Sequence, residues 1–457
     1  MREMTRSLLL MFLAITAPTV AHAHGVAPIP LSIVPVPGTG DFVATTSFGL
    51  LIPTGTPGAS TWICEEALLL ANLNVSSVAR TPTGSFFVAS GASLIASHDS
   101  GCTFADVEPF NTTGATDVQV HPGEPKTVFV TTPSFSGKAS VRVSTDSGKT
   151  FPTTLPLPET PYSFTTVRVA PSRAQRLYVG GTDTALRTGA LFVSDNAGAT
   201  FATVPVTSPG LASCRVIAVS PKDPELVFLH VVDGDGNALL RSDDGGKTRS
   251  VVLAVATPVR DAAVLPDGTT VIAATTVTAH RSLDGGKTFT ALATPLKTGC
   301  ARVIGDKLAV CANEGLDGFA FGATADAAAN SPVFTPLISF AQITGPLTCP
   351  AGTPVATSCT PIWPQVQVAL KAILGGGDTA SSTAEAPDTG NAVEVTADAG
   401  TGKAPEPTPS GCQSGAPSAV HSAVALLLLC LYRLGLGPTS RSDLRSSSVK
   451  RMPKPKK

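Results

Sequence analysis

Ser144-Thr145-Asp146-Ser147-Gly148-Lys149-Thr150-Phe151 decides the fold of this chain, because the same eight-residue pattern recurs along it. Read as Ser-x-Asp-x-Gly-x-Thr-Phe, the pattern is also complete at residues 97–104 and 282–289. Two further copies are altered, since residues 194–201 have Asn at the central Asp position and residues 242–249 end in Arg. Such recurrence predicts a repeat protein.

Each octet lies between two short apolar runs, which predicts a tight turn joining two β-strands. The central Asp or Asn is suited to accept hydrogen bonds from backbone N–H groups of the turn. The glycine two positions later can adopt the positive φ that other residues resist. We therefore expect these residues to hold turns rather than to perform catalysis. They are Asp99, Gly101, Asp146, Gly148, Asn196, Gly198, Asp244, Gly246, Asp284 and Gly286.

A second pattern alternates with the octets: an apolar run, a turn centred on proline, and another apolar run. The turn prolines are Pro82, Pro122, Pro171, Pro221 and Pro266. Octets and prolines both recur every 40 to 50 residues or so, which leaves room for four short strands per repeat. With degenerate copies at both ends, the repeats count to seven. The composition is rich in Gly and Pro, and almost nothing in the sequence is typical of a long helix.

The octet resembles the Asp-box, also called the bacterial neuraminidase repeat (BNR). This resemblance to the sialidase/BNR-like superfamily implies a β-propeller in which each octet joins the third and fourth strands of a blade. The fold class predicted for residues 24–374 is therefore all-β, a seven-bladed β-propeller. Six or eight blades are the alternatives, because the first and last repeats are degenerate.

The two ends of the chain predict export and attachment. Residues 1–23 combine two arginines, an apolar run and a small-x-small site ending at Ala23, the pattern of a secretory signal peptide. Residues 375–410 are rich in Gly, Ala, Thr, Ser and Pro and predict a disordered linker. In residues 411–457, Cys412, an apolar run and a basic end follow in an order that resembles the MYXO-CTERM sorting tail of myxobacterial surface proteins. The resemblance implies a cell-surface protein with a C-terminal membrane anchor, processed near Cys412; a disordered basic tail is the alternative.

The chain has nine cysteines, which is typical of an exported protein with disulfides. Spacing alone does not establish their connectivity. The pairs we expect, in order of preference, are Cys349–Cys359 around a short loop, Cys300–Cys311 across one strand turn, and Cys64–Cys102 at the ends of equivalent hairpins. Seven cysteines precede the linker, so at least one of them is expected to lack a partner there.

A ligand site is expected on the face that carries the loops between second and third strands and between repeats. The polar residues expected there are Asp183, Arg187, His230, Asp233, Asp235, Glu314 and Asp317. The run Asp233 to Asn237 alternates oxygen-bearing side chains as calcium loops do, but it lacks the distal Glu of such loops and is better explained as a hairpin turn. No metal site and no cofactor are predicted. The net charge of −1 argues against a nucleic-acid partner.

The residues that a sialidase uses for catalysis are not found at matching positions of this sequence. Sialidases use an arginine triad, a tyrosine nucleophile activated by Glu, and an Arg-Ile-Pro motif near the start of the propeller. Here no arginine lies between Arg6 and Arg80, and the tyrosines before the linker are Tyr162 and Tyr178. The function predicted is a secreted, non-catalytic binding or adhesion module for a glycan or an envelope protein. The alternatives are a sialidase- or xyloglucanase-like glycoside hydrolase with a non-standard active site, and an assembly factor that binds a partner protein.

Overall fold

The computed structural model describes residues 28–69, 75–134, 138–158, 161–206, 213–233, 236–292 and 299–375. The predicted signal peptide with Ala23, the linker beyond Gly375 and the terminal segment with Cys412 lie outside the described residues, and so does Asp235. Among the helices of the described part, none is long and apolar enough to cross a membrane.

The first strands of the chain form an antiparallel meander. They are β1 (Pro30–Pro35), β2 (Phe42–Thr46), β3 (Gly49–Pro53) and β4 (Gly58–Cys64). Five separate four-stranded sheets follow, each with its strands paired in chain order. The first two consist of β5 (Ser77–Arg80), β6 (Phe86–Ala89), β7 (Leu94–Ser97) and β8 (Ala105–Asp106), and of β9 (Asp117–Val120), β10 (Val128–Thr131), β11 (Val141–Ser144) and β12 (Thr153–Thr154).

The next three sheets repeat this plan with longer strands. They consist of β13 (Tyr162–Ala170), β14 (Arg173–Asp183), β15 (Thr188–Ser194) and β16 (Ala202–Val206); of β17 (Ser213–Val219), β18 (Val227–Asp233), β19 (Gly236–Ser242) and β20 (Ser250–Val255); and of β21 (Val259–Val264), β22 (Val271–Thr275), β23 (Ala279–Ser282) and β24 (Thr290–Ala291).

The last four strands join the first four in one eight-stranded sheet. They are β25 (Ala301–Ile304), β26 (Lys307–Cys311), β27 (Phe321–Thr324) and β28 (Thr335–Pro346). The two meanders meet where β28 pairs in parallel with β4, with Ile338 opposite Gly58 and Pro346 opposite Trp62. This pairing connects the beginning of the described chain to its end.

The leading strand of every four-stranded unit lies next to the leading strand of the following unit. Contacts run in order through β1, β5, β9, β13, β17, β21 and β25, and β25 contacts β1. The main apolar clusters form where neighbouring units meet, as where Phe129 of β10 packs with Phe164 of β13 and Phe192 of β15. A closed circle of four-stranded antiparallel units around a channel is the arrangement of a β-propeller.

The octets form the turns between third and fourth strands that the sequence predicts. In the first quoted octet, Ser144 donates to the Asp146 carboxylate at 2.7 Å and the Gly148 N–H donates to Ser144 Oγ at 2.8 Å. The Thr150 N–H donates to Asp146 at 3.0 Å, and Gly148 has a φ of +78°. The altered octets form corresponding bonds around Asn196 and Asp244, so the Asn and Arg replacements leave the turn intact.

The disulfides correct two of the three expected pairs. Cys300–Cys311 is present as expected, but Cys64 bonds Cys359 and Cys102 bonds Cys349. The expected Cys349–Cys359 and Cys64–Cys102 pairs are therefore wrong. The reason is the parallel β4–β28 pairing, which brings the segment after β28 alongside β4 and the first octet. Cys214 is buried and is the one cysteine of the described chain without a disulfide.

A helix of 16 residues, Thr360–Gly375, corrects the expectation that the chain lacks a long helix. It follows a π-helical turn, Val355–Cys359, and packs against β28 through Val366 and Leu370, which are buried. These side chains are four positions apart and therefore lie on one helix face. The remaining helical turns are short, and they are Glu65–Leu68, Phe110–Thr113 and Glu314–Asp317.

Candidate functional site

The leading strands enclose a channel of about 1270 Å³. Its wall is polar at one level, where charged residues of five different strands occur. These residues are Asp117 of β9, Arg168 of β13, Arg215 of β17, Arg260 and Asp261 of β21, and Arg302 of β25. Among the described residues of the lining, Phe340 is the single aromatic side chain.

The channel wall satisfies the free backbone donors of its edge strands with side chains. An edge strand exposes N–H groups that have no partner in its own sheet. Four side-chain oxygens accept such bonds from the next leading strand, at distances of 2.9 to 3.3 Å, and we call these four the acceptor belt. The pairs are Ser77 with the Val118 N–H, Asp117 with the Val167 N–H, Thr166 with the Val216 N–H, and Asp261 with the Ala301 N–H.

The two acids of the acceptor belt also bind arginines. Asp117 forms an ion pair with Arg168, and Asp261 forms one with Arg302 at 2.9 Å. Both carboxylates are buried, with 4% and 5% of the residue exposed. Burial raises the pKa of Asp261, while Arg302 and backbone N–H groups act in the opposite direction. Each acid is thus engaged with the backbone and with a cation.

Arg215 occupies the position of β17 that corresponds to Thr166 in the preceding unit, but it cannot accept a hydrogen bond. The Ala262 N–H of the next strand bonds instead to Asp261, at 3.0 Å. Among the described residues, the Arg215 guanidinium has no hydrogen bond and no ion pair. Burial and the nearby Arg168 lower the pKa of Arg215. The negative charges of Asp117 and Asp261 act to raise this pKa but do not outweigh them.

His230 lies directly opposite Arg215 in the β17–β18 pairing. Only 4% of the residue is exposed, and its Nε2 is 3.2 Å from the Asn237 Oδ1. Its Nδ1 is buried and has no hydrogen-bond partner in the described structure. Burial, followed by the positive charges of Arg215 and Arg260, lowers the pKa of His230. This unit therefore combines an unpaired guanidinium with an unpaired imidazole nitrogen.

The residues predicted from the sequence are distributed over three units. Asp183 is buried and accepts the Ala185 and Leu186 N–H groups of its turn, while Arg187 in that turn has a φ of +55°. Asp233 ends β18. Of the predicted set, only Glu314 lines the channel among the residues that can be placed.

Glu314 is fully engaged by the neighbouring strand β28. Its carboxylate accepts hydrogen bonds from the Ser339 hydroxyl and from the Phe340 and Ala341 N–H groups. Asp317 accepts the Asn313 N–H at 2.8 Å and closes the short helical turn. No group of three or more His, Cys, Asp or Glu that could hold a metal ion occurs in the described part of the chain.

Sequence reasoning missed the arginines of the channel, although a signal for their position exists. Ser77, Asp117, Thr166 and Asp261 each precede a turn proline by five positions, and Arg215 precedes Pro221 by six. Aligning the repeats on their prolines would have identified the four acceptor positions as equivalent, but it would have matched Val216 rather than Arg215 to them. It would not have shown that they bond to the next unit, because that depends on how the units pack.

No family model matches the chain, and no curated protein matches it. Among solved structures, the fold is similar to the GH74 xyloglucanase from Xanthomonas campestris, at 17% identity and a TM-score of 0.52, covering 68% of this chain and 55% of that one. It is also similar to an ancestral GH74 enzyme, at 14% identity and a TM-score of 0.50, covering 67% and 46%. The chain spans about half the length of these structures. The likeness shows a shared β-propeller fold.

Proposed function

We propose that the protein is a seven-bladed β-propeller that acts as a non-catalytic binding module for a glycan, held in the central channel. In this proposal the five separate sheets are five blades, and the eight-stranded sheet supplies two more, joined by β4 and β28. The octets then act as Asp-boxes on the face opposite the ligand loops. A glycan ligand is compatible with the two GH74 neighbours, whose names describe glycoside hydrolases.

The observation that carries the non-catalytic assignment is the engagement of every acid in the described part of the channel lining. The described lining contains three acids, Asp117, Asp261 and Glu314, and each is occupied by arginine, hydroxyl or backbone donors. Hydrolysis of a glycoside by the usual plan needs one carboxyl group to donate a proton and another to attack or to activate water. Acids already saturated with hydrogen bonds are poorly suited to either role.

The location belongs to the same proposal. Export through the signal peptide and retention at the cell surface by the terminal segment would place the channel in contact with extracellular polysaccharide or with envelope proteins. Fractionation of cells that express the full chain tests this part. Recovery in a soluble cytoplasmic fraction would overturn it.

The test of function is a glycan array probed with the purified full chain, run beside a panel of fluorogenic glycosides. Binding to a defined set of glycans without turnover is the expected result. Turnover would overturn the non-catalytic assignment, and Asp117→Asn, Asp261→Asn and Glu314→Gln would then show which acid is responsible. Absence of both binding and turnover would overturn the glycan ligand and favour an envelope protein as partner.

A further inference from the structure

Arg215 interrupts a pattern that four of the other six leading strands follow. At corresponding positions, Ser77, Asp117, Thr166 and Asp261 each accept a backbone hydrogen bond from the next strand. A threonine at 215 would serve the same structural purpose, as Thr166 shows one unit earlier. The arginine gives up that bond and makes no other within the described structure.

The charge of Arg215 is not compensated by its surroundings. The acids whose charges act on Arg215, Asp117 and Asp261, are already paired with Arg168 and Arg302. Arg260, on the neighbouring strand, also lacks an ion pair among the described residues. The channel wall at this level therefore carries two more cations than anions.

Arg215 is only partly exposed, but it lines the channel and is accessible from it. A guanidinium whose N–H groups have no partner in the protein can donate them to a bound anion. His230, opposite Arg215 on β18, is 4% exposed and lies outside the channel lining. The unpartnered guanidinium of Arg215 on the channel wall, with Arg260 on the neighbouring strand, indicates a site for an anionic ligand.

We propose that Arg215, supported by Arg260, binds the acidic group of a polysaccharide, so that the ligand is a uronate-bearing or sulfated glycan. The glycan part rests on the proposed function, whereas the anion site rests on Arg215 itself. A guanidinium can hold a carboxylate or a sulfate ester through two parallel hydrogen bonds. The scarcity of aromatic side chains in the lining agrees with this ligand class, because a neutral sugar would need surfaces for stacking.

The test compares polygalacturonate with its fully methyl-esterified form, and dextran sulfate with dextran, as ligands of the full chain. We expect the charged member of at least one pair to bind at least about tenfold tighter than its neutral partner, and Arg215→Thr to remove that preference. The pair that shows the preference identifies the acid group. Arg173→Gln, which removes an exposed arginine outside the channel lining, is the control and should leave binding unchanged.

Arg215→Thr should fold, because threonine occupies the corresponding position of the preceding unit and the Ala262 N–H keeps its bond to Asp261. Thermal unfolding of both proteins with and without inorganic sulfate tests the anion site separately from the glycan ligand. Sulfate stabilisation that Arg215→Thr abolishes, without binding of any polysaccharide, supports the anion site and overturns the glycan ligand. Equal binding of charged and neutral glycans by both proteins overturns the anion site and leaves the proposed function standing. No response to sulfate or to either acidic polymer overturns the site.

Discussion

Cys64 and Cys359 are 295 residues apart in the chain, and a disulfide joins them beside the seam where β4 pairs with β28. Cys102 and Cys349, separated by 247 residues, form a second bond close by. Both bonds tie the segment after β28 to the first units of the described chain. The ring is therefore closed by one parallel strand pair and two covalent links.

Removal of Cys64–Cys359 should cost more stability than removal of Cys300–Cys311. With Cys102–Cys349 still in place, the first bond closes a loop of roughly 50 residues, whereas the second spans 11. The chain-entropy estimate is about 4 kcal/mol for the first and about 3 kcal/mol for the second. Chemical unfolding of the two double Cys→Ser variants measures the difference. Equal losses, or a larger loss for the short loop, would contradict the role assigned to the seam.

Two glycines of the octet turns should differ in their tolerance of alanine. Gly148 and Gly285 have φ values of +78° and +74°, so alanine is strained at both, by about 1–2 kcal/mol. At Gly148 an added Cβ would also lie 2.2 Å from the ring of the buried Phe87, whereas at Gly285 the nearest atom is 4.0 Å away. Overpacking adds about 1–3 kcal/mol. We expect Gly148→Ala to lower the free energy of unfolding more than Gly285→Ala, and urea denaturation measures both. The reverse order would show that the Phe87 ring moves away from the added Cβ at little cost.

The octet turns should make stability depend on acid pH. Burial acts to raise the pKa of Asp146, but hydrogen bonds from Ser144 and Thr150 and from the backbone lower it to about 2. An unfolded Asp titrates near pH 4 or so, and therefore takes up its proton before the folded one does as the pH falls. The stability that the lowered pKa of Asp146 adds to the folded protein is complete above pH 4 or so. It is lost as the pH falls toward about 2.

Unfolding midpoints between pH 2 and pH 6 or so measure this dependence. Asp146→Asn should fold, because Asn196 holds the equivalent turn, and its stability should fall less steeply with acid. The reciprocal Asn196→Asp should fall more steeply. Identical slopes for all three proteins would show that the turn hydrogen bonds do not distinguish the two charge states of the acid.

The sequence predicted features that local chemistry controls. The octet turns depend on Ser, Asp and Gly within one short stretch, so the bonds around Asp146 follow from the residues themselves. The disulfide partners of Cys64 and Cys102 depend on where the last strand pairs, and no local pattern encodes that. The long C-terminal helix carried a weak signal, the spacing of Val366 and Leu370, but Pro364 within it is a residue that normally ends helices.

The site was less predictable than the fold, for a related reason. Loop position pointed to Asp183, Asp233 and Asp317, yet the unusual group is Arg215, on a strand. Its unusual character appears only when equivalent strands are compared and the bonds between units are known. A charged residue at one strand position can be recognised as unusual only when the residues at the corresponding positions of other units are known to be hydrogen-bond acceptors.

The acceptor belt should be a measurable part of the stability of the ring. Thr166 is 2% exposed, and its hydroxyl is 2.9 Å from the Val216 N–H that it accepts. Thr166→Val keeps the shape of the side chain but leaves that N–H without an acceptor, at a cost of about 1–3 kcal/mol. Thr154→Val, at an exposed position of the outer strand β12, is the matched control and should change stability by less than about 0.5 kcal/mol. Urea unfolding of both variants decides the question, since equal effects would mean that water in the channel serves the free N–H as well as Thr166 does.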